Sequence, residues 1–173
     1  MIMNKNIKLS NKDISSLINK LQVLKDDFKK LPRNINKEVA EIGLDYLNNE
    51  YSSTRTDHTI DISSIDTEVI ETSKGYSIVA RGSEVLYAEF GTGEKGADDG
   101  HPLKGDFDLN PYNSGPMVST HINKNGRHYW FYNNEYSEGN ASGKQMFNTS
   151  EYLRKEVIKE VVKEKVGEVI SKV

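Results

Sequence analysis

The sequence predicts an α+β fold in which an antiparallel β-sheet of two hairpins packs against long N-terminal and C-terminal helices. Apolar residues recur at helical spacing near both ends of the chain, and two β-rich segments between them are each divided by a turn signal. The order helix, hairpin, loop, hairpin, helix contains no strand–helix–strand unit, which favours an antiparallel sheet. The 173 residues suit a single domain, residues 1–173.

The N-terminal helical region is expected over about residues 11–50. Ser10 and Asp13 are typical of a helix start, because the hydroxyl accepts from first-turn amides and the carboxylate sits at the positive end of the helix. Pro32 interrupts the pattern and predicts two helices or one kinked helix. A heptad stripe would pair with another subunit or, as is commoner for so short a stripe, pack on the chain's own sheet. The stripe consists of Ile14, Leu17, Leu21, Leu24, Phe28, Leu31 and Ile35.

Strands and long loops are expected over about residues 66–142. Lys74-Gly75 and Asn125-Gly126 are the turn signals of the two hairpins. The segment from Ser83 to Gly91 reads as a short helix, capped by Ser83 and ended by Gly91, with a strand as the alternative. Residues 91–115 and 133–143 are predicted loops. The predicted strands are Glu68–Thr72, Tyr76–Arg81, Pro116–Ile122 and His128–Tyr132.

The C-terminal helix is expected over about residues 143–172. Its apolar positions drift slowly around the helix axis, and lysine and glutamate line the exposed flanks. Glu151 precedes Lys155 by four residues, a favourable pair on a helix. The apolar positions are Leu153, Val157, Val161, Val162, Val166, Val169 and Val173.

Composition excludes several classes of protein. The net charge of −3 argues against a basic nucleic-acid coat or a basic membrane-surface protein. Without cysteine there is no disulfide, zinc-thiolate site or thiol nucleophile. The sequence has neither an 18-residue apolar run nor a signal-peptide core at its start, so we expect a soluble protein made in the cytoplasm.

Charge is unevenly distributed along the chain. Residues 51–143 carry 7 basic and 14 acidic side chains, whereas the segments on either side have a small basic excess. Such asymmetry would orient like subunits head to side in an assembly. The plainer interpretation is a solvated surface that has no partner.

Two motifs in the long loop suggest ligands without completing a site. Gly91–Gly96 matches the G-x-G-x-x-G pattern, but no strand is expected before it and no helix after it, and the following Asp98-Asp99 would repel phosphate. Asp106–Asn110 begins like a calcium loop, yet Pro111 and Met117 stand where glycine and glutamate are needed. An acidic, solvated loop is the plainer interpretation, and a looser cation site among these aspartates stays open.

No catalytic constellation emerges from the remaining polar residues. The four histidines lack metal-ligand spacing, although His121 and His128 would be near each other across the second hairpin. Glu89 lies alone in an apolar run and is expected to accept backbone or loop hydrogen bonds. The aromatic run Tyr129–Tyr132 could stack on bases, but the acidic middle of the chain favours a role in the core and in protein contacts. We therefore predict no catalytic residue, cofactor or metal.

Two sequence blocks resemble the tailed-phage tail-component family, whose members are small virion proteins assigned to head–tail joining or tail completion. The first block is Leu86–Gly93, in which the residues that match the family pattern are Tyr87, Glu89, Phe90, Gly91 and Thr92. The second is Gly143–Phe147, with Met146 and Phe147 before the final helix. The order of elements over roughly residues 10–170 also agrees with the family.

The resemblance implies a ring-forming structural protein at the neck or tail top of a virion, assembled in the bacterial cytoplasm. It implies contacts with other copies of the chain, with connector or neck proteins, and with a tail terminator or tail tube. No cofactor, membrane or sequence-specific nucleic acid is expected. The motif residues, with Trp130 and Phe131, are candidates for subunit contacts.

Several alternatives stay open at this point. The first is a role as tail terminator or minor capsid protein within the same particle. A small metal- or nucleotide-binding enzyme that uses the Gly91–Gly115 loop is another. The third is a nucleic-acid-binding module that works through the aromatic hairpin.

Overall fold

A computed structural model of the chain describes residues 10–54, 60–98, 101–103, 121–122, 128–132 and 135–172. Long helices at both ends and antiparallel strands between them confirm the α+β class. The strands form two separate sheets, one of two strands and one of three. No helix within the described ranges is long and apolar enough to cross a membrane.

Helix α1 spans Asn11–Ser53, 43 residues without a break. Ser10 caps it as predicted: the Asp13 amide donates to Ser10 Oγ at 3.2 Å, and the Ser10 amide donates to Asp13 Oδ2 at 2.9 Å. Pro32 lies inside the helix and does not divide it in two. The buried Leu31 and Ala40 show that packing holds the helix on both sides of the missing amide.

The first hairpin is confirmed. Strand β1 (Asp66–Thr72) pairs antiparallel with β2 (Gly75–Arg81), with Val69 opposite Ile78. The turn residues are Ser73 and Lys74, one position earlier than predicted, and Gly75 opens β2 with a φ of 137° that favours glycine.

The segment after the hairpin folds into two short helices. Helix α2 (Val85–Phe90) confirms the helical interpretation and the predicted end at Gly91, but its N-cap is Glu84 and not Ser83. Helix α3 (Gly93–Asp98) lies where a continuous loop was predicted. The prediction was wrong because this helix follows another helix directly and has too few apolar residues to show a period.

The second sheet contains the predicted hairpin and one further strand. Strand β3 (His121–Ile122) pairs with β4 (His128–Tyr132), while the predicted turn at 125–126 and the start of the first strand lie outside the described residues. The register pairs His121 with Tyr129 and His128 with Ile122, so the two histidines are offset by one position and do not form the expected cross-strand pair. Strand β5 (Glu135–Ser137) pairs with β4 within a predicted loop.

The C-terminal helical region follows as α4 (Gln145–Tyr152), a π-helical turn (Leu153–Val157) and α5 (Ile158–Ile170). The extra residue that a π turn inserts rotates the apolar positions after it, which accounts for the drifting stripe. Val157, Val161 and Val169 are buried. The region runs antiparallel to α1, with Lys165 Nζ 2.8 Å from Glu38 Oε2 and Lys172 Nζ 2.9 Å from Asp27 Oδ2.

The main core lies where the C-terminal half of α1 meets the first hairpin and α4. Leu47, Tyr51 and Ala88 are buried there, packed by partly buried apolar residues of every neighbouring element. Tyr46 stacks on Tyr152 with ring centroids 4.2 Å apart. The packing residues are Ile62, Ile65, Ile78, Ala80 and Met146.

The N-terminal half of α1 is not covered in this way. Ile14, Leu17, Leu21 and Phe28 are each 42–51% exposed, so the expectation that the stripe packs on the chain's own sheet is wrong for this half. The helix extends past the hairpin, and α5 runs along one flank only.

Gly43 permits the close approach of α1, β2 and the π turn. A Cβ at this position would lie 2.5 Å from Ile78 Cδ1 and 2.7 Å from Leu153 Cδ1, whereas a Cβ at Gly167 would meet nothing within 4 Å. We expect Gly43→Val to lower the free energy of unfolding by about 1–3 kcal/mol through overpacking. Gly167→Val, also in a helix, should change it by less than about 0.5 kcal/mol. Urea denaturation of both variants tests this, and equal effects would contradict the packing argument.

Candidate functional site

The two blocks that carry the family resemblance lie side by side. Backbone hydrogen bonds join them: the Gly143 amide donates to Ala88 O at 2.8 Å and the Lys144 amide to Glu89 O at 3.2 Å. Ser142 Oγ donates to the same Glu89 carbonyl at 2.7 Å. Segments more than fifty residues apart in sequence therefore form one local unit, which we call the Glu89 cluster.

The Glu89 side chain caps helix α4 from a distant part of the chain. Its Oε2 accepts from the Met146 amide at 2.8 Å and its Oε1 from the Phe147 amide at 3.1 Å. These are two of the first-turn amides that have no partner within a helix. The N-cap residue itself, Lys144, has a φ of 57° and a side chain without an acceptor. A buried carboxylate therefore takes the role that serine or aspartate usually has, and its charge favours the positive end of the helix.

His101 completes the surroundings of this carboxylate. Its Nε2 lies 2.9 Å from Glu89 Oε1, and its Nδ1 accepts from the Leu103 amide at 3.1 Å. With Nδ1 accepting from Leu103, Nε2 is the ring nitrogen that donates to Glu89. The rings of Phe90 and Phe147 contact His101 at centroid distances of 4.4 and 5.9 Å. The pair is enclosed, with 1% of the histidine and 7% of the glutamate side chain exposed.

The glycine motif packs against residues 138–142, which directly precede the second block. The Thr92 amide donates to Asn140 O at 2.8 Å, and the Asn140 amide donates to both Thr92 O and Thr92 Oγ1. A Cβ on Gly91 would lie 2.5 Å from Asn140 O, and φ there is 75°. The amides of Gly91 and Gly96 donate to the carbonyls of Tyr87 and Thr92, so they do not point at an anion site.

Below the cluster, two buried polar side chains lie where α4 meets the end of α1. Gln145 is fully buried and its Nε2 donates to Thr54 Oγ1 at 2.7 Å. The Tyr51 hydroxyl is buried and accepts or donates no hydrogen bond among the described residues. Burial, and then the negative charge of Glu89, raise the pKa of Tyr51.

The structure brings together most of the predicted motif residues. Phe90 and Thr92 are buried with Glu89, while in the second block Met146 packs against the core around Leu47 and Phe147 contacts the His101 ring. Tyr87, in α2, is half-buried. Trp130 and Phe131 belong to β4, but their side chains lie outside the described residues.

Sequence reasoning missed His101, Asn140 and Gln145. His101 was considered only for metal-ligand spacing, and its contact with Glu89 spans twelve residues without a period. Asn140 lies within the predicted loop 133–143, which has no periodic signal. A lone glutamate in an apolar run, followed by a polar block before a helix, is the one signal that could have linked these segments.

Metal and nucleotide ligation find no support in this cluster. Among the described residues, no group of three or more histidine, aspartate or glutamate side chains is arranged to hold a metal ion. The side chain of Asp98, and all of Asp99, Asp106 and Asp108, lie outside the described part of the chain, as does the calcium-like segment. In the Glu89 cluster, the glutamate side chain joins the two sequence blocks to each other.

Comparisons with known proteins give no independent assignment. A scan against protein-family models, a search of curated proteins and a search of solved structures found no match to this chain.

The capping role of Glu89 predicts a large cost for a small change. In Glu89→Gln one carboxylate oxygen becomes an NH₂ group, which cannot accept from the amides of α4, and the charge at the helix end is lost. We expect the free energy of unfolding to fall by about 2–3 kcal/mol. Glu41→Gln removes an exposed pair with Lys37 and should cost less than about 0.5 kcal/mol. Urea denaturation measures the free energy of unfolding of both variants. An equal loss in the two would contradict the capping role.

We expect removal of the Tyr51 hydroxyl to stabilise the protein. Tyr51→Phe keeps the ring in the core and removes a buried polar group without a described partner, so stability should rise by about 0.5–1 kcal/mol. Tyr46→Phe on the same helix removes a hydroxyl that interacts with Glu50 and should give no gain. Thermal and urea unfolding measure both. A loss of stability in Tyr51→Phe would mean that the hydroxyl is hydrogen-bonded.

Proposed function

We propose that this chain is a structural subunit of a tailed phage or phage-like particle, assembling as a ring at the neck or tail top in head–tail joining or tail completion. The identity of the particle rests on the resemblance of Leu86–Gly93 and Gly143–Phe147 to the tail-component family. The structural observation that supports it is the Glu89 cluster, in which these two blocks form a single hydrogen-bonded unit.

The chemistry of Glu89 favours architecture over catalysis. Its carboxylate is buried and contacts three donors, the amides of Met146 and Phe147 and the His101 ring. A general acid or base needs an oxygen that can reach a substrate proton. Here both oxygens are used to fix the position of α4 against α2, which is the requirement of a scaffold.

The amides of the glycine motif are also engaged internally. A phosphate loop offers free backbone N–H groups to the anion. The amides of Gly91, Thr92 and Gly96 instead donate to protein carbonyls. This argues for close packing as the reason for the glycines, and it gives the enzyme alternative no specific observation in its favour.

Assembly would work by surface complementarity around this rigid unit. The exposed apolar half of α1 offers contact area to a neighbour, and the acidic middle of the chain complements the mildly basic ends of another copy. Connector or neck proteins on one side and a tail terminator or tail tube on the other are the proposed further partners. The proposed location is the virion, after assembly in the bacterial cytoplasm.

The native mass of the purified chain tests the proposal. Light scattering over a concentration series should give a discrete ring-sized oligomer, or a monomer or dimer that becomes one when connector or tail-tube protein of the same particle is added. Tail-tube protein of an unrelated phage is the matched control. A mass that stays below ring size in every mixture, together with thermal stabilisation by magnesium or a nucleotide, would overturn the proposal in favour of a ligand-binding enzyme.

A further inference from the structure

The N-terminal half of α1 carries an apolar face that its own fold does not cover in the described part of the chain. Ile14, Leu17, Leu21 and Phe28 are 42, 49, 51 and 42% exposed. Further along the same helix, Leu47 and Tyr51 are buried against the hairpin and α4. Leu24 is half-buried, and Leu31 is buried. The exposed face therefore ends at Leu31, where the stripe becomes buried, whereas Leu47 and Tyr51 lie on another face of the helix.

We propose that this face binds the same face of a second copy of the chain, as an antiparallel pair of α1 helices related by a two-fold axis. With Leu21 opposite Leu24 of the second copy, Leu17 lies opposite Phe28, and each contact occurs twice. Each of these two layers joins two apolar side chains, whereas Ile14 would lie opposite Leu31, which is buried in its own chain. The heptad spacing keeps such layers in register when two helices coil around each other.

Charges beside the stripe select the antiparallel orientation. Asp13, Lys20 and Asp27 recur every seven residues along one flank, so their signs alternate. In the antiparallel alignment Lys20 meets Asp27 of the second copy, twice over. A parallel alignment in the same register would place Lys20 beside Lys25 of the other helix, a like-charge contact.

The proposed helix pair also uses a side chain, Asp27, whose position is already fixed within the single chain. Asp27 is held by Lys172 of α5, with Oδ2 and Nζ 2.9 Å apart, so Lys20 of a second copy would extend an existing ion pair into a network. Side chains that are fixed in advance lose less entropy on association. The contact is two-fold, so it adds to the head-to-tail contacts that close a ring and does not depend on them.

Sedimentation equilibrium of the full chain tests the surface. Leu21→Asp places a charge in the centre of the stripe. The two-fold axis puts one such charge on each copy, so the dimer dissociation constant should rise by at least about 100-fold. Val23→Asp is the matched control, because Val23 is 57% exposed and its Cβ points about 160° away from that of Leu21. It should leave the dimer intact. Circular dichroism confirms that both variants are folded.

Single cysteines test the orientation, since the natural chain has none. A mixture of Leu17→Cys and Phe28→Cys chains should form a disulfide between the two variants under mild oxidation. Leu17→Cys alone should not cross-link, because in the antiparallel pair the two copies of residue 17 are about 16 Å apart along the axis.

The outcomes separate this inference from the proposed function. A monomer at every concentration, or a dimer that Leu21→Asp leaves intact, overturns the inference and assigns the stripe to residues 1–9 or to an unlike partner. Cross-linking of Leu17→Cys alone overturns the antiparallel arrangement. A ring-sized assembly whose mass Leu21→Asp leaves unchanged refutes the inference and supports the proposed function. A dimer that Leu21→Asp dissociates, and that never exceeds two chains in any mixture, supports the inference and refutes the proposed function.

Discussion

A single buried carboxylate determines how the helices of this protein are placed. Glu89 lies in α2, yet the amides that it accepts from begin α4, and the ring that donates to it comes from the segment after α3. An ionised group in a protein interior is tolerated only when donors surround it. The positions of α4 and of His101 are thus linked to one side chain, and displacing either would leave a charge with too few partners.

The neighbours of Glu89 explain why the surrounding residues are small, polar or aromatic. Gly91 and Gly139 have positive φ and let two backbone segments approach so closely that a Cβ on either would overlap the other segment. Thr92 and Asn140 bind those segments to each other. Phe90 and Phe147 exclude water from the imidazole of His101, which strengthens its hydrogen bond to the carboxylate.

Elements with a local period could be predicted from the sequence, and those held by distant contacts could not. The heptad of α1, the capping pair at Ser10 and the first hairpin have signals within a few residues, and the structure confirms them. Helix α3 has six residues and β5 three, too few to establish a pattern, and long-range contacts account for their conformation. At Pro32 a strong local signal predicted an interruption, yet the helix is not divided, because packing on both sides outweighs the local effect of the proline. Glu89 was expected to accept hydrogen bonds, but nothing local could identify its donors, which lie 12, 57 and 58 residues away.

The sequence distance between Glu89 and its helix has a consequence for how the chain folds. Synthesis proceeds from the N-terminus, so α1 and the first hairpin leave the ribosome well before residues 146 and 147 exist. During that interval the carboxylate is hydrated and Leu47 and Tyr51 lack the contact with Met146 that covers them in the folded chain, a state that favours association with other nascent chains. Docking of the last helix closes a loop of more than fifty residues, and contacts of such long range slow folding. The final helical segment therefore acts as the closing step that converts a partly open chain into a subunit competent for assembly.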